Sequence, residues 1–218
     1  VAAWARDEGL PVATHLAEAP GEAALFRDAT GAFAAMWSRR GIPLPDRPAT
    51  PVEWLDRHDA LGPSVLCVHV VHAAAADVAL LARRGVAVAH CPLSNRVHAH
   101  GDAPIGALLE AGIRVGCGTD SVVSVGSLDL LAAARAARAL ARLDAAGALA
   151  LCTIGAARAL ALEGELGSLT AGKWGDAAIL RIGSASDPSA ALERALATGP
   201  AEVIATLVSG REVFRTEG

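Results

Sequence analysis

Histidine and acidic side chains accompany four short apolar runs, each of which the sequence predicts as a buried strand. His15 ends the first run, Glu18 follows three residues later, His69 lies in the second run, and Asp120 stands near the end of the fourth. Neutral imidazole is a good zinc ligand, and a carboxylate beside a metal-bound water can move protons. The pattern is therefore compatible with metal-assisted hydrolysis. A structural interpretation stays open for each residue: a polar surface loop for His15 and Glu18, a hydrogen-bonded core histidine for His69, and a turn or helix N-cap for Asp120. The runs are Leu10–His15, Val65–Val70, Val86–His90 and Ile113–Ser121.

Helices are predicted between these strands. Thr50-Pro51-Val52-Glu53 has the composition of a capping box, and Gly85 is a typical helix C-cap. Strands that alternate with helices over short connections indicate a parallel sheet or barrel, and parallel α/β barrels keep their catalytic groups at the C-terminal strand ends.

Three details of the local structure are also predicted. The sequence predicts a loop over residues 91–103 and a long helix capped by Ser127. It also predicts one alanine-rich helix over residues 147–162. The pattern changes near Gly164, where turn-rich sequence and two further strand-like segments predict a small β appendage. We therefore expect a partial barrel over residues 1–162 and a C-terminal β portion over residues 163–218.

Composition limits the classes of partner and compartment. The net charge is −4 and aromatic residues make up 3% of the chain, which argues against nucleic-acid binding. The uncharged stretch Gly62–Ala76 is too short and too polar for a membrane span. Four cysteines without C-x-x-C spacing are typical of free thiols in a reducing cytoplasm.

Two other groups of residues could carry chemistry. His98 and His100 form an H-x-H pair, but they follow Pro92, Ser94 and Asn95 in a predicted polar loop. We therefore interpret the pair as part of a surface loop rather than as a metal site. Cys91 could be a nucleophile, but no base is paired with it in the sequence.

Taken together and in order, six motifs resemble the amidohydrolase superfamily, in its branch of purine and triazine deaminases and chlorohydrolases. Each motif is weak alone, but the ordered set covers nearly the whole chain. The motifs are H-L-A-E (15–18), V-H-V-V-H (68–72), A-H-C-P-L-S-N (89–95), G-T-D-S (118–121), S-L-D-L (127–130) and G-S-L-T-A-G-K-W-G-D (167–176).

The resemblance implies the fold and the cofactor. It implies a (β/α)8 barrel of the TIM type with a small β-sandwich built from both chain termini, in which the four strands are barrel strands 5 to 8. The family's first strand carries an H-x-H that this chain lacks. We therefore expect the C-terminal half of an enzyme. The resemblance also implies one divalent metal, zinc above iron or another ion, with His15 and Asp120 as ligands.

Catalytic roles follow from the same resemblance. Glu18 would shuttle protons, His69 would hold or polarise the substrate, and Asp120 would take a proton from the attacking water. Substrate contacts are expected from His69 and from three further residues: Ser94, Asn95 and Ser121. These residues predict hydrolytic deamination of a purine-like or other small nitrogen heterocycle.

Alternatives remain open at this stage. An amidase or chlorohydrolase would use the same metal machinery, and a truncated module without the first-strand ligands would be non-catalytic. For the chain alone we expect weak metal binding, no turnover, and self-association as a homo-oligomer through strands that lack their barrel neighbours.

Overall fold

The structure, a computed structural model, describes residues 2–197 and 202–216. Four of its strands form one parallel sheet in the order β1-β2-β3-β4, so each strand pairs with its neighbour in the sequence. This confirms the predicted α/β architecture with a parallel sheet. The strands are Val12–Leu16 (β1), Val65–His69 (β2), Ala87–His90 (β3) and Arg114–Cys117 (β4).

Helices connect and cover these strands. Residue 1, which the sequence placed in the first helix, lies outside the described residues. The helices are Ala2–Asp7 (α1), Pro20–Asp28 (α2), Gly31–Arg39 (α3), Pro51–Arg57 (α4), Ala75–Arg84 (α5), Pro92–Val97 (α6), Ile105–Glu110 (α7), Val122–Val125 (α8), Leu130–Ala141 (α9), Ala145–Cys152 (α10), Ile154–Ala159 (α11) and Pro188–Ala195 (α12).

The two strongest helix signals in the sequence are confirmed. The Thr50 hydroxyl accepts from the backbone N–H of Glu53 at 3.0 Å, and the Glu53 carboxylate accepts from the backbone N–H of Thr50 at 2.9 Å. This reciprocal pair is the capping box, and it fixes the start of α4. Gly85 ends α5 in the left-handed conformation, with φ of +68°.

Three local predictions differ from the structure. The predicted loop over residues 91–103 contains α6, which Pro92 starts at its first turn. Asp129, not Ser127, caps α9, because its carboxylate accepts from the backbone N–H of Ala132 at 2.9 Å. The predicted single helix over residues 147–162 is two helices, α10 and α11, which break at Thr153.

Three antiparallel strands form a second sheet in the order β5-β6-β7. The strand-like segments predicted after Gly164 form strands, and a turn at Ser209-Gly210 separates the last two. Helix α12 contacts the region of the parallel sheet through Glu193. Arg138 on α9 donates two hydrogen bonds of 2.8 Å to the carboxylate of this residue. The strands are Ala177–Arg181 (β5), Glu202–Val208 (β6) and Arg211–Arg215 (β7).

Within the described ranges, no helix is long and apolar enough to cross a lipid bilayer. The main hydrophobic core lies between the parallel sheet and the helices packed on it. Its fully buried side chains include Val88 on β3, Leu81 on α5, and Leu108 on α7.

The break between α10 and α11 brings α11 directly against β4. A Cβ atom added to Gly116 would lie 2.6 Å from the Cα of Ala156, which is closer than two carbon atoms can pack. Gly116 is therefore required by the packing of α11 on the strand that leads to Asp120.

Substituting Gly116→Ala should lower the free energy of unfolding by about 1–3 kcal/mol, because the added methyl group overpacks this contact. Gly106→Ala is the matched control, since a Cβ there meets no atom within 4 Å and lies in α7. Urea denaturation of both variants tests the prediction. A Gly116→Ala protein as stable as Gly106→Ala would contradict it.

Strands β1 and β4 are the two ends of the parallel sheet. End strands present unpaired backbone groups that other chains can pair with. We therefore expect the 218-residue chain to self-associate, measured by light scattering coupled to size-exclusion chromatography. Ala13→Lys, at an exposed position of β1, should shift the population towards monomer. A monodisperse, cooperatively melting monomer would contradict this expectation.

Candidate functional site

Parallel pairing brings the ends of β1 and β2 to one edge of the sheet. Leu16 pairs with His69, and His15 pairs with Val68. The imidazole rings of His15 and His69 consequently lie with centroids 5.1 Å apart and planes tilted by 33°. The sequence predicted that these two side chains would converge, and the structure brings them together.

His15, Glu18 and His69 form a cluster suited to a cation. One ligand atom from each residue lies within 4.8 Å of the other two, and His69 Nε2 is 3.5 Å from Glu18 Oε1. Nε2 is buried and has no hydrogen-bond partner among the described residues. A buried nitrogen that has no hydrogen-bond partner and faces a carboxylate is placed as a ligand of a divalent metal would be. Imidazole and carboxylate are ordinary ligands of such ions.

Asn95 sets the orientation of His69. Both side chains are almost fully buried, and His69 Nδ1 lies 2.8 Å from Asn95 Oδ1. Donation from Nδ1 to this oxygen leaves the lone pair of Nε2 directed at the cluster. The sequence predicted substrate contact for Asn95, which stays a prediction; in the structure its side chain holds the histidine.

Asp120 lies just beyond β4 and is held by two hydrogen bonds. Ser94 donates to Oδ2 at 2.6 Å, and the backbone N–H of Ser121 donates to Oδ1 at 2.7 Å. Burial alone would raise the pKa of Asp120, but these hydrogen bonds and the nearby His69 lower it overall. Asp120 is therefore a carboxylate, although it stands outside the cluster of three.

The two serines predicted to contact substrate have structural partners. Ser94 is fully buried behind Asp120. Ser121 is exposed, and its hydroxyl accepts from the backbone N–H of Ser124 at 3.2 Å to cap α8. Substrate contact by either serine stays a prediction.

Glu22 is a functional residue that the sequence reasoning missed. Its two carboxylate oxygens accept from the backbone N–H groups of Ala17 and Glu18 at 2.9 and 2.8 Å. Burial raises the pKa of Glu22 despite these hydrogen bonds. The signal available in the sequence was an acid in the first turn of the predicted helix, four residues after Glu18. Glu22 fixes the turn that carries Glu18.

Two other buried groups near the site have shifted pKa values. His90, at the end of β3, is fully buried, and burial followed by the charge of His69 lowers its pKa to about 4. Cys91 follows it, and burial raises the pKa of its thiol to about 11. Cys91 is therefore a thiol rather than a thiolate, a state that disfavours the nucleophilic role considered from the sequence.

His100 lies at the site, whereas the sequence analysis placed it in a surface loop. Its Nδ1 is 3.3 Å from Glu18 Oε1. His98 is exposed and stacks on His100, with centroids 5.5 Å apart. The pair is therefore split: one histidine reaches the cluster, and the other lies outside it.

The strand exits that carry these residues have a strained backbone. Non-glycine residues adopt positive φ at Ala17 (50°), His69 (72°), Val70 (50°) and Asp120 (64°). The conformation is rare for a branched residue such as Val70 and costs roughly 1–3 kcal/mol per residue. Two backbone hydrogen bonds hold the exit of β2 against β1. The N–H of Val70 donates to the carbonyl of Leu16 at 3.1 Å, and the N–H of His72 donates to the carbonyl of Ala17 at 2.8 Å.

Comparison with known proteins agrees with this geometry. The profile of the amidohydrolase family matches residues 1–213. A 5-methylthioadenosine/S-adenosylhomocysteine deaminase of Moorella thermoacetica is 42% identical over 136 residues, which cover 59% of this chain and 32% of that protein. The match therefore spans about a third of the relative's length.

Two solved structures are similar to this fold. A zinc-bound adenosine deaminase from Xanthomonas campestris has a TM-score of 0.79 and 28% identity, covering 96% of this chain and 46% of that one. A zinc complex of atrazine chlorohydrolase from Arthrobacter aurescens has a TM-score of 0.75 and 27% identity, covering 98% and 46%. Both neighbours hold zinc.

The geometry of the cluster leads to a prediction for the affinity of the 218-residue chain for zinc. We expect weak binding that His15→Ala reduces at least roughly tenfold, since even an outer-sphere partner of a ligand is worth that much. His58→Ala is the matched control, because His58 is exposed, directly follows α4, and its Nδ1 bonds to the carbonyl of Trp54. Equilibrium dialysis followed by metal analysis measures both. Equal affinity of the two variants would show that the cluster does not bind the ion.

Proposed function

The chain belongs to the amidohydrolase family, and from this premise we propose that it carries part of the active site of a zinc-dependent hydrolase that deaminates a small nitrogen heterocycle, such as a purine. The observation that carries the proposal is the cluster of His15, Glu18 and His69 at the ends of paired parallel strands. The names of the relatives support the substrate class.

The proposal includes an architecture. Residues 1–162 would be the C-terminal half of a (β/α)8 barrel, with β1 to β4 as its strands 5 to 8. Residues 163–218 would contribute to a small β-sandwich. Support comes from the sequential parallel order of the strands and from structural matches that span nearly all of this chain but about half of each neighbour.

The chemistry divides between the ion and the side chains. When bound, zinc supplies a Lewis acid that makes water a nucleophile near neutral pH. Of the three clustered residues, His15 would hold the ion, and Glu18 and His69 would lie beside it and act on water and substrate. Asp120 is the other ligand expected from the family resemblance. The lowered pKa of Asp120 keeps it ionised, so its carboxylate can accept a proton from the attacking water.

Glu18 would carry out the second proton transfer. Its carboxyl group would protonate a ring nitrogen while water adds to the neighbouring carbon, so negative charge does not accumulate on the ring. His69 would orient the substrate, with its ring fixed by Asn95. Asp120 would then return its proton to the amino group, and Glu18 would regain a proton from the added hydroxyl, so the adduct collapses to the ring carbonyl and releases ammonia.

Displacement of chloride is the second candidate reaction, favoured by the similarity to the zinc-bound atrazine chlorohydrolase. The same side chains would serve, because only the leaving group differs. A panel of aminated purines and chlorinated triazines, assayed for ammonia and for chloride, separates the two. An amidase would instead hydrolyse the C–N bond of a carboxamide.

A cytoplasmic location stays a prediction. Four free cysteines fit a reducing compartment. Self-association also stays a prediction, and it is tested by the light-scattering experiment described with the fold.

In the complete protein, Glu18→Gln should lower kcat roughly 10²–10⁴-fold, the usual contribution of a positioned acid–base group, while bound zinc is retained. The amide is similar in size but cannot exchange the proton. Glu163→Gln, at an exposed position, is the matched control and should keep full turnover. A Glu18→Gln protein with wild-type turnover would exclude the proton-transfer role.

A further inference from the structure

His69 and Asp120 come from strands that do not pair with each other. β3 lies between β2, which ends at His69, and β4, which leads to Asp120. Direct strand pairing therefore does not set the separation between these two side chains. Both residues also have positive φ, 72° and 64°, so neither is held in a regular strand conformation. Their relative position needs a further support.

Two consecutive residues of α6 supply this support. The Ser94 hydroxyl donates to Asp120 Oδ2 at 2.6 Å, and Asn95 Oδ1 lies 2.8 Å from His69 Nδ1. An amide oxygen can only accept a hydrogen bond, so the proton of the neutral His69 ring lies on Nδ1. A hydroxyl at 2.6 Å from a carboxylate makes a charge-assisted hydrogen bond, and such bonds are about twice as strong as neutral ones.

Neither side chain of this pair is placed to touch a substrate. Ser94 is 0% exposed and Asn95 is 1% exposed, so both lie beneath the surface that a ligand could reach. Their hydrogen bonds lead instead to two groups that the proposed chemistry uses. The burial and the bonding together favour an indirect role over the substrate contact expected from the sequence.

The helix that carries the pair is itself fixed in the fold. It follows β3 directly, and Pro92 lies in its first turn. The backbone N–H of Asn95 donates to the carbonyl of Cys91 at 3.1 Å, and the N–H of His98 donates to the carbonyl of Ser94 at 3.0 Å. The helix also packs against α8 and α9. The two supports therefore belong to one rigid element, and they keep a constant distance from each other.

We propose that Ser94 and Asn95 are positioning residues that together hold Asp120 and His69 at a fixed separation across β3. Ser94 fixes the Asp120 carboxylate. Asn95 fixes the ring and the tautomer of His69, so that Nε2 presents a lone pair to the site. The kinetic consequence rests on the proposed function, whereas the positioning itself does not. Removing the hydrogen-bond partner of a metal-site residue typically costs about 10- to 100-fold in metal affinity or activity.

The kinetic test uses the complete zinc-loaded protein and a heterocycle that the wild type deaminates. Ser94→Ala and Asn95→Leu should each lower kcat about 10- to 100-fold. KM should change less than about threefold, because neither side chain contacts the substrate. Asn95→Asp keeps an oxygen that accepts from Nδ1 and should retain more activity than Asn95→Leu. Val97→Ala, at an exposed position of the same helix, is the matched control and should stay within about twofold of wild type.

Zinc affinity gives a readout that does not depend on turnover. Asp120 is an expected ligand, whereas His69 would lie beside the ion. Ser94→Ala should therefore weaken zinc binding by the complete protein about tenfold or more, and Asn95→Leu should change it less than about threefold. Competition with a chromophoric chelator measures both affinities. If Asn95→Leu does not fold, Asn95→Ala takes its place with the same expectation.

Four results would overturn the proposal. A kcat within about twofold of wild type excludes the role of the substituted residue, and a rise in KM with kcat unchanged shows a substrate contact instead. A loss in Val97→Ala equal to the losses in the two variants shows a general effect of the helix. Equal weakening of zinc binding by Ser94→Ala and Asn95→Leu excludes the division of roles between the two residues.

Crystal structures separate this inference from the proposed function. If the wild type releases neither ammonia nor chloride from any substrate, the proposed function fails, and structures of the variants still test the positioning. The Asp120 carboxylate should rotate in Ser94→Ala, and the His69 ring should rotate in Asn95→Leu. Side chains that keep their wild-type orientation in both variants would overturn the positioning by themselves.

Discussion

The register between β1 and β2 decides whether the site can exist, because it pairs Leu16 with His69 and so aligns the ends of the two strands. A shift of one residue would turn every side chain of a strand to the opposite face. His15 would then leave the cluster, and the buried Leu16 would be exposed. The burial of Leu16 and Cys67 in the core therefore fixes the same register that the chemistry needs.

Beyond the strand ends, the backbone must leave β geometry at once so that functional side chains can converge. The structure accepts positive φ at Ala17 and at the exit of β2, and it compensates with local hydrogen bonds. The partly buried carboxylate of Glu22 accepts from two backbone N–H groups of the β1 exit, and the β2 exit bonds to β1. Strain and its support are thus concentrated at the site.

Sequence reasoning succeeded where a local rule determined the outcome and failed where tertiary contacts did. The capping box at Thr50 and the left-handed Gly85 depend on neighbouring residues alone, and both were predicted. His100 was assigned to the surface because its approach to Glu18 depends on α6, which is too short to give a clear helical period. The role of Glu22 likewise depends on a turn that forms only in the folded chain.

Protonation explains why the polar groups of the site occupy such different environments. A cation needs neutral imidazoles and ionised carboxylates before it arrives, because protons compete for the same lone pairs. Full burial lowers the pKa of His90 to about 4 and keeps that ring neutral beside His69. Asp120 is less deeply placed, and donation from Ser94 and Ser121 outweighs its desolvation, so it stays charged. Burial of the histidine and hydrogen bonding of the aspartate thus both lower a pKa, which leaves the ring neutral and the carboxylate charged. This is the protonation state that the proposed metal-assisted hydrolysis would require.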